Sequence, residues 1–308
     1  MPTNAPVVAL VAPNGLVGRA FVPIFVEATT QGDIAQLKLV ASKETDTLRM
    51  AIQAAPRNTV KLSIVNYMDK SALEATFEGT DVVVSTMGGT GDQRPAASEQ
   101  TVIEAAAKAG VKIYFPSDFG CDYSDETWGV PMWESKKAYA ALARGLGLKT
   151  ISVSSGLFMH LFLTSMLGFN LPEWEIPEDG NTPFALSDVS DVGRYTLRAI
   201  ILARQDPKSV PDRLRVYSDA KTLNEYASIV ERVTQTKLTK RYIPRTKLLA
   251  IWENDSGQTQ YPNLFLKIMV GTTAIDFSER EHNELLNPGG TYFKPASFEK
   301  LVESTLKL

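Results

Sequence analysis

Six short apolar runs in the first half of the chain, each ending on small or polar residues, constrain the fold more than any other feature. They are VVALVA (7–12), LKLVAS (37–42), VKLSIVN (60–66), DVVVSTM (81–87), KIYFPS (112–117) and TISVSS (150–155). Stretches of helical character such as QTVIEAAAKAG separate them. Continuous apolar strands alternating with helices are buried on both faces, so the pattern predicts a doubly wound parallel sheet covered by helices. Asp69 before KSALEATFEG supplies an N-cap and Gly79 a stop, and EAAAKAG ends likewise on Gly110.

Composition removes several alternatives. With 308 residues, 44% hydrophobic and 22% charged, the chain can bury a large core in one or two domains. A formal charge of -3 with no block of like charges argues against a nucleic-acid partner. One cysteine, Cys121, and two histidines, His160 and His282, form neither a disulfide framework nor a soft-ligand metal cluster. No metal is expected, and a reducing compartment fits. No apolar run approaches the ~20 residues of a membrane span, and MPTNAP has neither the basic flank nor the apolar core of a signal peptide. The expectation is a cytoplasmic protein without a membrane partner; no motif encodes its oligomeric state.

After Ser155 the rhythm changes. GLFMHLFLTSMLGFNLPEWEIPEDGNTPFAL mixes aromatics with Pro and Gly and shows no alternation. SDVSDVGRYTLRAIILARQ restores a capped helix, RLRVYSDAKTLNEYASIVERVTQ offers a strand, a turn and a helix, and 236–308 reads as helical. The expected division is a Rossmann-type nucleotide domain over 1–155 and a smaller, mostly helical substrate lobe over 156–308. About 185–235 is expected to return partly to the first domain.

A parallel sheet binds its ligand at the carboxyl edge of its strands, near the switch in strand order. APNGLVGR follows the first run and opens a helix, with Ala12, Gly15 and Gly18 at every third position and Asn14, Leu16 and Val17 in the same turn. Gly15 lets backbone approach a diphosphate, Gly18 lets the helix pack on the strand, and Ala12 is expected to add only a methyl group. LVASKETD presents Ser42 and Lys43 before Glu44 and Asp46. A free ribose 2'-hydroxyl is normally held by a carboxylate at this point, whereas a 2'-phosphate wants a cation or hydroxyl, so NADP is favoured over NAD. Ser85, Thr86 and Met87 end the fourth run with Gly88 and Gly89 just beyond, and Pro116 and Ser117 end the fifth, at the edge where a cofactor must lie close.

The residues beyond the fifth and sixth runs, Phe119, Met132, Trp133, Phe158, Met159 and His160, are expected to face the nicotinamide as an apolar substrate wall. His160 reads equally as a donor to a substrate oxygen and as a satisfied core histidine. Phe162, Met166, Trp174, Trp252, Tyr261 and Phe265 add apolar surface, and no arginine lies between Gly145 and Arg194 to clamp a compact anion. An aromatic small molecule is the expected substrate.

APNGLVG, AGVKIYFPSDFG, KKAYAALARGLGLKTISVSSGLF and SDVSDVGRYTLRAI, in this order and spacing, resemble the NmrA-like and isoflavone-reductase-like family of atypical short-chain dehydrogenases. The resemblance, which extends to phenylcoumaran benzylic ether reductases, covers nearly the whole chain. It implies an NADP-dependent reductase of an aromatic or apolar small molecule. It also implies that Lys136, rather than Lys137, is the active-site lysine, bonding the nicotinamide ribose and assisting proton transfer. Two other readings stay open: an NADP(H)-sensing regulatory protein without turnover, and a lyase or isomerase on the same scaffold. Three positions depart from the family pattern. Ala12 replaces a glycine, Val65-Asn66 replaces a Gly-Asp pair and leaves Asn66 to contact adenine without charge, and Gly156 stands where plant reductases often carry Asn. The Tyr-Lys pair of conventional short-chain dehydrogenases has one match in spacing, Tyr217 and Lys221, at an expected strand end and turn rather than on a helix face.

Overall fold

The computed structural model describes residues 5–88, 97–125, 131–164, 169–254 and 263–306. The first half builds β1 (Val7–Val11), α1 (Leu16–Gln31), β2 (Gln36–Ala41), α2 (Asp46–Ala54), β3 (Val60–Ile64) and α3 (Lys70–Phe77). It continues with β4 (Val82–Ser85), α4 (Ala97–Lys108), β5 (Ile113–Phe115), α5 (Pro131–Gly145) and β6 (Lys149–Thr150). These six strands form one sheet in the order β3-β2-β1-β4-β5-β6, every pairing parallel. This is the doubly wound, Rossmann-type arrangement, and its order reverses between β1 and β4. Val8 to Val11 and Val82 to Val84 are fully buried, which is why the strands read as unbroken apolar runs. Asp69 caps α3 by accepting from the Ala72 amide at 3.0 Å, and Gly79 at φ +68° reverses the chain behind it.

The second half adds β7 (Ser152–Ser154), β8 (Leu157–Phe158), α6 (Met159–Phe162), β9 (Phe169–Asn170), β10 (Glu173–Pro177), β11 (Pro183–Ser187) and α7 (Val189–Gln205). Then come β12 (Arg213–Arg215), β13 (Asp219–Thr222), α8 (Leu223–Thr234), β14 (Thr239–Ile243), α9 (Arg245–Asn254), α10 (Asn263–Met269), α11 (Asn283–Leu286) and α12 (Phe298–Leu306). The sixth apolar run thus divides: β6 stays in the parallel sheet, and the Ser152 amide bonds the Asp212 carbonyl at 2.9 Å, beside β12.

The described residues fall into two compact units. One is drawn from Met1–Phe119, Thr127–Val153 and Gly193–Leu214, the other from Gly120–Glu126, Ser154–Val192 and Arg215–Leu308. The second unit holds two three-stranded sheets, β14-β10-β9 and β13-β11-β8. Strands of two to five residues leave no periodic trace, and β14 interrupts a stretch read as helical. Phe162 is the hub of this unit's core, with the rings of Trp174, Phe184, Tyr226 and Phe298 at 5.4, 5.7, 5.2 and 5.1 Å. Three of these contacts are edge-on and the Phe184 ring is tilted; aromatic pairs of this kind contribute about 0.5–1.5 kcal/mol each beyond area burial.

Candidate functional site

The chain leaves β1 through Ala12 at φ +61°. That left-handed conformation costs an alanine about 1–2 kcal/mol, so Ala12 does more than add a methyl group. The turn is bolted from the end of β4, where Thr86 Oγ1 donates to the Val11 carbonyl at 2.7 Å and lies 3.1 Å from the Ala12 carbonyl. Gly18 sits against the same atoms. A Cβ there would fall 2.6 Å from the Ala12 carbonyl oxygen, 2.7 Å from Pro13 Cα and 2.7 Å from Thr86 Oγ1. At Gly15 a Cβ would find its nearest neighbours at an ordinary 3.5 and 3.7 Å, so this glycine keeps backbone bare rather than relieving a clash. Gly15 is the N-cap of α1, and no side chain caps the helix. The amides of Leu16 and Val17 stay available to an acceptor, and the helix dipole favours an anion there. The turn therefore fits a dinucleotide diphosphate.

Ser42 and Lys43 are exposed just beyond β2. Asn14 joins this loop to the glycine turn: its Nδ2 donates to the Lys43 carbonyl at 2.9 Å, and its Oδ1 accepts from Thr45 Oγ1 at 2.9 Å. Arg49 on α2 pairs with Glu44 at 3.0 Å and with Asp46 at 2.7 Å. Such exposed pairs add little stability, but here they occupy the two carboxylates that would repel a 2'-phosphate. Thr45 and Arg49 went unnoticed by sequence, although the i,i+3 spacing of Asp46 and Arg49 carried the signal. At the end of β3, Asn66 is exposed and its Oδ1 accepts from the Met68 amide at 3.0 Å, closing a local turn.

The ends of β4 and β5 carry a buried polar network. Tyr114 Oη donates to Glu99 Oε1 at 2.6 Å and Ser85 Oγ to Glu99 Oε2 at 2.9 Å. Ser85 and Thr86 thus turn their hydroxyls into the protein, and Met87 is buried, while Gly88 is exposed. Burial pushes the Glu99 carboxyl above its ordinary range, against the lowering effect of Tyr114, Ser85 and the Lys136 charge. Burial and the neighbouring Glu99 likewise raise the Tyr114 phenol well above its usual value. On α5, Lys136 Nζ donates to the Ser117 carbonyl, whereas Lys137 pairs with Glu134 at 2.9 Å. Pro116 is buried beside them. Glu99 went unnoticed by sequence, although an acid on the apolar stripe of α4, one turn before the fully buried Val102 and Ile103, carried the signal.

Of the apolar residues, Phe119 is 9% exposed and packs edge-on to Phe21 at 5.0 Å. Trp133 and Met159 are buried and Met132 is half-buried. His160 is exposed, its ring stacked on Phe158 at 6.0 Å and 11°; the core-histidine reading does not hold. Phe162, Trp174 and Phe265, read from the sequence as added apolar surface, are buried in the second unit. Trp252 is half-buried, its ring 5.5 Å from Phe265. Gly89, Met166 and Tyr261 lie outside the described residues. Among the described residues no group of three or more His, Cys, Asp or Glu side chains is placed to hold a metal ion. No described helix is long and apolar enough to cross a membrane.

Residues 6–288 match the model of the NmrA-like family. A phenylcoumaran benzylic ether reductase of Nicotiana tabacum is 31% identical across 59% of this chain and 60% of its own length. Isoflavone reductase of Cicer arietinum is 27% identical across 84% of each. The chain spans about three-fifths of the tobacco reductase and of eugenol synthase 1 from Petunia hybrida. Among solved structures, AtPrR2 with NADP+ and (+)pinoresinol shares the fold at a TM-score of 0.79 and 19% identity, covering 97% of this chain and 98% of that one.

Proposed function

The chain belongs to the NmrA-like family, and from that premise we propose that it is an NADP-dependent reductase of an aromatic or otherwise apolar small molecule. Lys136 carries the reading. Its Nζ meets the Ser117 carbonyl at the carboxyl edge of the sheet that also presents the uncapped N-terminus of α1. The amides of Leu16 and Val17 would hold the diphosphate, with Gly15 keeping the backbone bare beside it and Ala12 and Gly18 shaping the turn. Ser42 and Lys43, fixed through Asn14, hold the 2'-phosphate, and Asn66 lies toward the adenine. Backbone at Ser85, Thr86, Met87, Gly88, Pro116 and Ser117 borders the rest of the cofactor.

NADPH, when bound, supplies the hydride. Lys136 Nζ bonds the nicotinamide ribose and moves the accompanying proton to or from the substrate, as a positioned acid or base. Phe119, Met132, Trp133, Phe158, Met159 and His160 are the residues assigned to substrate. The absence of arginine between Gly145 and Arg194 favours an apolar molecule over a compact anion, as do the relatives named as reductases of phenylcoumaran benzylic ethers and isoflavones. The test is NADPH oxidation with phenolic and phenylpropanoid compounds set against small anionic metabolites. Preferential turnover of the anions overturns the substrate class. Tight NADPH binding with turnover of neither class transfers the reading to a cofactor sensor.

A further inference from the structure

The cofactor edge of the sheet is fastened by an acid that the proposed chemistry does not use. Glu99 is buried on α4, and burying a carboxyl is costly unless hydrogen bonds compensate it. Both of its oxygens are satisfied, each by a different strand. Tyr114 of β5 donates to Oε1 at 2.6 Å, and Ser85, the last residue of β4, donates to Oε2 at 2.9 Å. One helical side chain thus ties the ends of two neighbouring strands together. The tie continues into the backbone, because Ser85 Oγ also accepts from the Met87 amide at 3.4 Å as the chain leaves β4. Successive side chains of a strand point to opposite faces, so Thr86 makes its bonds elsewhere. Its amide and its hydroxyl both donate to the Val11 carbonyl, at 3.0 and 2.7 Å. Residues 85–87 are therefore held from one side by Glu99 and from the other by the glycine turn. This is the switch in strand order between β1 and β4, where a parallel sheet binds its ligand.

We propose that Glu99 is a positioning residue for the cofactor: acting through Ser85, it fixes the backbone of residues 85–87 against which the diphosphate and nicotinamide of NADPH lie. The proposal rests on the NADP reading and gives Glu99 no contact with cofactor or substrate. The Ser85 hydroxyl, fully buried, is spent on Glu99 and the Met87 amide rather than on a ligand. Without the tie, the backbone beyond β4 has more conformations to lose when the dinucleotide binds, and affinity falls. The effect is selective. The 2'-phosphate and adenine are assigned to the ends of β2 and β3, and the β2 loop is fixed through Asn14 and Thr45 instead.

Calorimetric titration with NADPH and with adenosine 2',5'-bisphosphate, which carries only the adenine half of the cofactor, tests it. Glu99→Ala and Ser85→Ala should each weaken NADPH about tenfold while leaving the bisphosphate within about twofold of wild type. Glu99→Gln should restore NADPH to within about threefold of wild type, since its amide can accept from Tyr114 and donate to Ser85. Unchanged NADPH affinity in the two alanine variants overturns the proposal. Equal weakening of both ligands does so too, because it marks a domain that has merely loosened, as does a Glu99→Gln variant as weak as Glu99→Ala. If Glu99→Ala does not fold, Ser85→Ala decides by the same readout, since it deletes one hydroxyl and leaves Glu99 bonded to Tyr114. A wild-type protein that does not bind NADPH overturns the NADP reading and this proposal together, whereas tight wild-type binding with unmoved variants overturns this proposal alone.

Discussion

Replacing Gly18 by alanine is the sharpest test of how the cofactor turn is built. The added Cβ would sit 2.6 to 2.7 Å from three atoms, two of them backbone atoms of Ala12 and Pro13 that cannot rotate away. Overpacking of this kind costs about 1–3 kcal/mol. The third atom is Thr86 Oγ1, and displacing it breaks its 2.7 Å bond to the Val11 carbonyl, a loss of about 1 kcal/mol. Alanine returns about 1 kcal/mol through helix propensity, so the net destabilisation is about 2 kcal/mol. Gly15→Ala is the control. Its Cβ meets nothing closer than 3.5 Å, so stability should stay within about 0.5 kcal/mol, while NADPH affinity falls about tenfold, or ~1.4 kcal/mol. Ala12→Gly should do the opposite: release of about 1–2 kcal/mol of left-handed strain, offset by about 0.4–1 kcal/mol of unfolded-state entropy, leaves the protein slightly stabilised. Thermal unfolding and fluorescence titration with NADPH read all three. Gly18→Ala as stable as wild type, or a destabilised Ala12→Gly, would refute this account of the turn.

Lys43→Ala should reduce the preference for NADPH over NADH, measured by parallel titrations, and an unchanged ratio removes Lys43 from 2'-phosphate recognition. Lys136→Ala should abolish most turnover while leaving the NADPH Kd within about twofold, since the diphosphate contacts lie on other strand ends. Lys137→Ala, which loses its pair with Glu134, should turn over like wild type, and the reverse pattern would shift the active lysine by one residue. Burial raises the Glu99 carboxyl, so its contribution to stability is complete below the unfolded value near 4.3 and is lost as pH rises through the folded value. Glu99→Gln can keep the partners Tyr114 and Ser85. Its stability should therefore exceed wild type at pH 7 and lose that advantage at pH 4, and parallel curves from pH 4 to 8 would contradict the sign.

The parallel sheet was legible because its central strands β1 and β4 are buried on both faces and each of β1 to β5 is followed by a helix, with recognisable boundary residues at Asp69 and Gly79. The glycine turn was legible for the same reason, yet the conformation of Ala12 was not. A φ of +61° at an alanine runs against local preference and is imposed by Thr86, 74 residues away. The network of Glu99, Tyr114 and Ser85 also depends on long-range pairing, although an acid on an apolar helical stripe marks it. In the second unit the strands are too short to show a period, and pairings such as Trp174 with Lys240 form far apart in sequence. The burial of Phe162 and Trp174 was not legible, because composition cannot tell an aromatic that fills a core from one that lines a pocket.

Gly156 shows why a departure from a family pattern must be read through the backbone before it is read as specificity. The residue has φ +66°, and a Cβ there would fall 2.2 Å from the Ala185 carbonyl oxygen and 2.8 Å from its carbon, because β8 pairs with β11 from the next residue on, Leu157 opposite Leu186. An asparagine would require this pair of strands to separate, so its absence follows from the close approach of β11 and carries no information about the substrate. His160 is exposed, stacked on Phe158, and can donate or accept a hydrogen bond.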